Sequence, residues 1–168
     1  MKNKLATFFV VVFVMLTSLP LHAATPPIND RDAIGNMKVG KGVFLIDIGD
    51  AKKLNLYLSL IQGSYKRMQE QGVKPDFVMV YIGPSVKYLS KSPSEAVEKA
   101  VTTDILLDIE ANVAGLVELG IKQEICAIAT QVFGIDNKTL FPGMKVVGDG
   151  FISLIGYQEQ GYHLVPVF

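Results

Sequence analysis

Gly120-Ile121-Lys122-Gln123-Glu124-Ile125-Cys126-Ala127 reads as a short strand that delivers the chain's single cysteine to the start of a helix. Gly120 ends the helix before it, Ile121 and Ile125 are the apolar strand residues, and Ala127 to Phe133 has helical spacing. Cys126 thus falls at a strand-to-helix junction. In α/β proteins such junctions form the carboxyl edge of the sheet, where ligands bind. A helix amino terminus also favours anions, which promotes the thiolate form of a cysteine. Cys126 is therefore the candidate catalytic residue. Free cysteine is also among the most buried residue types, and with Ile125, Ala127 and Ile128 beside it, structural burial is the competing reading.

The punctuation found at Gly120 recurs. Gly72-Val73, Gly120-Ile121 and Gly161-Tyr162 each place a glycine after a helical pattern and before an apolar strand residue. Glycine takes the left-handed conformation at such helix ends and turns the chain back toward the sheet. Upstream, Val43-Phe44-Leu45-Ile46-Asp47-Ile48 is a nearly continuous apolar run, suited to a strand covered on both faces. Asp50 can cap the following helix, whose apolar stripe is Leu54, Tyr57, Leu58, Ile61, Tyr65 and Met68. Phe77 to Ile82 is the next strand, which completes a βαβ unit.

Gly83 to Lys91 reads as a loop that could wall or cover a pocket, Ser94-Glu95 opens a short helical segment, and Ile105, Ile109, Val113, Leu116 and Val117 mark a longer helix. After the cysteine come a brief strand at Met144 to Val147, a helix carrying Phe151, Leu154 and Ile155, and a last strand from Tyr162 to Phe168. Pro166 places that last strand at a sheet edge. The alternation predicts a three-layer α/β sandwich of about five mostly parallel strands.

The first residues carry a different signal. Lys2 and Lys4 precede an apolar run from Phe8 to Leu16, and then Pro20 and Ala23-Ala24 follow. This charged, apolar, small-residue order predicts a secretory signal peptide over residues 1–24, removed on export to the periplasm, with an uncleaved anchor as the alternative. Residues 25–40 read as an extended linker and 41–168 as one α/β domain. Without Lys2 and Lys4, the 16 basic and 16 acidic residues become 14 and 16, a net charge of −2. That balance points to neither nucleic acid nor an anionic membrane as a partner.

With one cysteine, no disulfide can form within the chain. His163 is the only histidine after the leader, so no metal site is expected, and a Cys/His pair would need the last strand to approach Cys126. Gly40-Lys41-Gly42 and Gly148-Asp149-Gly150 match no phosphate-binding loop, and Asp149 reads as a helix cap. No Gly-x-Ser-x-Gly turn supports a serine nucleophile. No cofactor is expected. Asp47, at the end of the first strand, is left open.

Taken together, Cys126 after Leu119-Gly120-Ile121, the Leu140-Phe141-Pro142-Gly143 turn and the tail Val146-Val147-Gly148-Asp149-Gly150-Phe151-Ile152-Ser153-Leu154-Ile155, with Tyr157-Gln158 and Gly161-Tyr162, resemble the exported DsrE-like proteins. The resemblance runs from about Lys41 to Phe168. It implies a flavodoxin-like sandwich without flavin, assembled into homo-oligomers. It also implies a sulfur-relay role in which the cysteine matching Cys126 holds sulfane sulfur as a persulfide, between a donor and an acceptor protein. The alternative is a non-catalytic oligomeric binding or scaffold protein with a buried, structural Cys126.

Overall fold

The computed structural model describes residues 28–168. The expected signal peptide and the first residues of the expected linker lie outside the described residues. The described chain forms a five-stranded sheet in the order β4-β3-β2-β1-β5, with every neighbouring pair parallel. The strands are β1 (Val39–Ile46), β2 (Lys74–Tyr81), β3 (Lys122–Cys126), β4 (Met144–Val147) and β5 (His163–Val167). The helices are α1 (Arg31–Ile34), α2 (Ala51–Glu70), α3 (Glu95–Ala100), α4 (Thr103–Glu118), α5 (Ala127–Val132) and α6 (Gly150–Glu159).

Parallel strands need crossovers, and these put helices on both faces. α2 and α4 pack side by side over one face, and α6 crosses the other as it carries the chain from β4 at one edge to β5 at the opposite edge. This is the three-layer arrangement that the alternating pattern predicts. The central strands read as apolar runs because both faces are covered: Val43, Ile46, Val78, Met79, Val80 and Tyr81 have no measurable exposure. Gly72, Gly120 and Gly161 all have positive φ (80°, 77° and 85°), which places each helix-ending glycine in the left-handed region. Asp50 caps α2 by accepting from the Lys53 N–H at 2.7 Å.

β5 lies at the edge, as Pro166 requires. The Val167 carbonyl accepts from the Asp47 N–H at 3.0 Å, so Val167 faces β1. Consecutive residues of a parallel strand bond to opposite sides, which turns the Pro166 nitrogen toward the free edge. A missing donor there costs no ladder bond, and it protects the edge against pairing with another strand.

Two stretches differ from the sequence reading. The lead-in is not uniformly extended: Arg31–Ile34 makes one helical turn. Gln71 accepts from the Asp30 N–H at 2.9 Å and donates to the Asp30 carboxylate at 3.0 Å, which ties this turn to the end of α2. β1 begins at Val39, within the expected linker, because β2 begins at Lys74 opposite it. The expected loop from Gly83 is a 3-10 helix through Tyr88, with Ser85, Val86 and Tyr88 buried. Ser85 Oγ donates to the carbonyls of Ile82 (2.7 Å) and Ile46 (3.1 Å), and the Tyr88 hydroxyl donates to the Gly49 carbonyl (2.6 Å). These bonds tie the segment to the ends of β1 and β2.

Candidate functional site

Cys126 is the last residue of β3 and the N-cap of α5. Its level in the sheet follows from register: Ile125 pairs with Tyr81, and Tyr81 with Ile46, so Cys126 stands level with Ile82 and Asp47. Side chains at one level of a sheet share a face, and all three line one cavity of about 250 Å³ at the carboxyl edge. Gly83, Ile128, Ala129, Val132, Phe133, Asp149 and Phe151 complete its walls. α2 and α4 pack over one face of the sheet and α6 over the other, and the cavity lies between the α5 segment and the start of α6.

Cys126 as a residue is 6% exposed. Burial and pocket access therefore coexist, with the sulfur in the cavity wall and little of the residue bare. Its hydrogen-bond donor is not the one expected. α5 is six residues long, and Cys126 makes no side-chain bond to it. The Gly150 N–H at the start of α6 donates to Sγ at 3.3 Å. Gly150 has to be glycine for this approach: a Cβ there would lie 2.6 Å from Ile82 Cγ2 and 3.2 Å from Cys126 Cβ. Asp149 caps α6 by accepting from the Phe151 N–H at 2.8 Å, the role expected of it, and also lines the cavity.

Asp47, left open by the sequence, contributes the second carboxylate of the cavity. It presses on Gly83, where an added Cβ would stand 2.1 Å from Oδ1. The lining holds two carboxylates and no lysine, arginine or histidine, among mostly apolar side chains. Lys87 lies outside it, with Nζ 5.7 Å from the centre of the Phe133 ring. Of the segment from Gly83 to Lys91, only Gly83 reaches the cavity.

His163 does not join this site. It pairs with Gly42 at the amino end of the sheet, about 16 Å along and about 14 Å across from Cys126 by strand geometry. It lines a different cavity, of about 390 Å³, with Met37, Gly40, Phe44, Met68 and Phe77. Larger cavities such as this one lack a thiol, so size does not identify the reactive site. Among the described residues no group of three or more His, Cys, Asp or Glu side chains could hold a metal ion, and no helix is long and apolar enough to cross a membrane.

Beneath α6 lies a polar cluster that the sequence reading missed. The Glu124 carboxylate is buried and accepts from the Tyr157 hydroxyl at 3.0 Å and from Lys145 Nζ at 3.4 Å. Burial, then the hydrogen bond to Glu124 and the charges of Glu124, Tyr162 and Asp76, push the Tyr157 phenol up to about 12. Tyr162 is raised for the same kind of reason, by burial and by a hydrogen bond to Asp76. The alternation along β3 could have located Glu124, because it lies two residues before Cys126 and so shares its face. Tyr157 carried no such signal.

A model of the DsrE/DsrF-like family matches residues 41–167. Two solved structures share the fold. One is the protein of unknown function MTH1491 from Methanobacterium thermoautotrophicum, 18% identical with a TM-score of 0.58, covering 77% of this chain and 98% of its own. The other is the ychN protein from E. coli, 15% identical with a TM-score of 0.51 and the same two coverages, 77% and 98%. At such identities the likeness is one of fold. A search of curated proteins found no match. The family match spans the whole sheet except the first two residues of β1, and on that ground the chain belongs to the DsrE/DsrF-like family.

Proposed function

We propose that the protein is a periplasmic sulfur carrier that holds sulfane sulfur as a persulfide on Cys126. The observation that carries this reading is the placement of the only thiol in the wall of a cavity at the carboxyl edge, with a main-chain N–H directed at its sulfur. The amide holds the sulfur in one orientation at the cavity wall, and the thiolate is the form that reacts. In the loading step Cys126 thiolate attacks the outer sulfur of a donor persulfide, R–S–SH. The new S–S bond forms as the donor's S–S bond breaks, and the electron pair leaves with the donor as R–S⁻. Unloading is the same exchange in reverse, with an acceptor thiolate attacking the outer sulfur and Cys126 departing as thiolate. Neither step needs an external oxidant or reductant.

The surroundings suit exchange between proteins. Ile128, Val132, Phe133 and Phe151 line the cavity and are substantially exposed, and Ile152 and Ile155 are further exposed apolar residues of α6. Contiguous apolar surface of this kind marks protein contact. We assign the α6 face to a second copy of the chain, in keeping with the homo-oligomers that the family resemblance implies. The α5 side then faces the donor and acceptor. Export rests on the leader sequence of residues 1–24.

The test is mass spectrometry of intact protein after incubation with polysulfide. The wild type should gain one or more sulfur masses, removable by dithiothreitol, and Cys126→Ser should gain none. An unmodified wild type under these conditions would leave the competing reading, an oligomeric scaffold with a structural cysteine.

A further inference from the structure

Burying a carboxylate is costly, and a buried ionic pair often stabilises a fold less than apolar packing in its place. Glu124 is such a group, with a side chain only 6% exposed, and its cationic partner Lys145 is 75% exposed. An exposed lysine at 3.4 Å offsets little of the cost. The stronger tie runs inward, to the Tyr157 hydroxyl on α6. Glu124 and Cys126 are two residues apart on one face of β3, about 7 Å along the strand. Gly150 and Tyr157 are seven residues apart on α6, about 10 Å along the helix. α6 is therefore fastened to the same strand near both ends, by its first N–H to Cys126 Sγ and by Tyr157 to Glu124.

We infer that Glu124 is a positioning residue for Cys126: by holding Tyr157, it fixes the tilt and rotation of α6 so that the Gly150 amide stays directed at the sulfur. Packing of Leu154 sets which face of α6 meets the sheet, and the Tyr157 bond adds a second fixed point near the far end of the helix. A phenol-to-carboxylate hydrogen bond is directional, and it is charge-assisted. Tolerance at the other end is small, since Gly150 already approaches Ile82 and Cys126 as closely as a residue without a side chain can. The inference rests on the reading that Cys126 reacts as a thiolate.

The experiment compares the wild type with Glu124→Gln, Glu124→Leu and Tyr157→Phe in two measurements: the rate of Cys126 alkylation by iodoacetamide at pH 7, and hydrogen exchange of the Gly150 amide by NMR. Glutamine keeps an acceptor oxygen for Tyr157 and should react within twofold of the wild type. Glu124→Leu and Tyr157→Phe should each react about tenfold more slowly, the effect of losing one hydrogen bond to a charged group. Their Gly150 amides should exchange at least tenfold faster. Lost stability cannot explain a slower thiol, because partial unfolding would expose Cys126 and speed its alkylation. Should Glu124→Leu fail to fold, Tyr157→Phe carries the comparison.

Alkylation by Glu124→Leu or Tyr157→Phe at the wild-type rate or faster overturns the inference. So does a Glu124→Gln thiol as slow as Glu124→Leu, or an unchanged Gly150 exchange rate. The polysulfide experiment fails separately. A wild type that alkylates in the predicted pattern but gains no sulfur keeps the positioning role and loses the carrier reading. Sulfur uptake with no dependence on Glu124 does the reverse.

Discussion

Tyr81 has no exposed surface, yet it carries a hydroxyl into the middle of the sheet. That hydroxyl donates to Gln123 Oε1 at 2.6 Å, and the Gln123 amide donates onward to the Ile121 carbonyl at 3.1 Å. The chain of bonds satisfies two buried side chains and ties β2 to β3 just before Cys126. Burial pushes the Tyr81 phenol well above its ordinary value, so it remains a donor at any physiological pH. Tyr81→Phe should therefore cost about 1–3 kcal/mol, the penalty for leaving a buried amide oxygen without its donor. Urea denaturation measures this, and a loss below about 0.5 kcal/mol would mean that Gln123 finds another partner. Gly150 makes the complementary point at this scale, because what matters there is an absent atom. With any Cβ, Ile82 would have to move before the amide could reach the sulfur.

At the scale of the element, α6 connects the site to a pH-sensitive cluster. The folded Tyr157 phenol titrates near 12, against about 10 for an unperturbed tyrosine. The native state thus holds that proton more tightly than the unfolded chain. The stabilisation is complete below pH 10 and is lost as pH rises through about 12. Stability to urea should fall between pH 10 and pH 12, and the fall should be smaller in Tyr157→Phe. Tyr81, Tyr162 and Tyr88, also raised, account for a remaining slope in that variant. Equal slopes in the two proteins would show that Tyr157 is not held by Glu124 in solution. The caps belong to this scale too. Asp50 and Asp149 do what their position before a helix predicts, because a cap is a local interaction within three residues.

For the whole molecule, α6 is the element that covers the second face of the sheet, and Phe151, Ile152 and Ile155 project from it into solvent, each more than 60% exposed. A lone chain would leave this apolar surface bare beside the candidate site. Light scattering of the chain from residue 25 onward should accordingly give a multiple of its mass. The double variant Ile152→Glu with Ile155→Glu should shift it toward the monomer, with an unfolding midpoint that no longer rises with protein concentration. A wild type that is monomeric at micromolar concentration would remove the assigned self-contact. The β5 edge is a poorer candidate for assembly, because the Pro166 nitrogen faces outward there.

Much of the architecture was readable because its determinants are local. Glycine after each helix, apolar runs of strand length and a proline in the last strand each act through their own backbone or immediate neighbours, and together they specified alternating elements, the edge strand and the junction at Cys126. The strand order, and with it the separation of His163 from the thiol, depended on crossovers that no short window of sequence contains. The same holds for the site. The position of Cys126 at a carboxyl edge followed from its place in the chain, but its amide donor comes from Gly150, 24 residues away, and the buried Glu124 finds Tyr157 only once α6 lies across the sheet. Residues distant in sequence become partners through packing, and it was packing that decided which amide faces the sulfur.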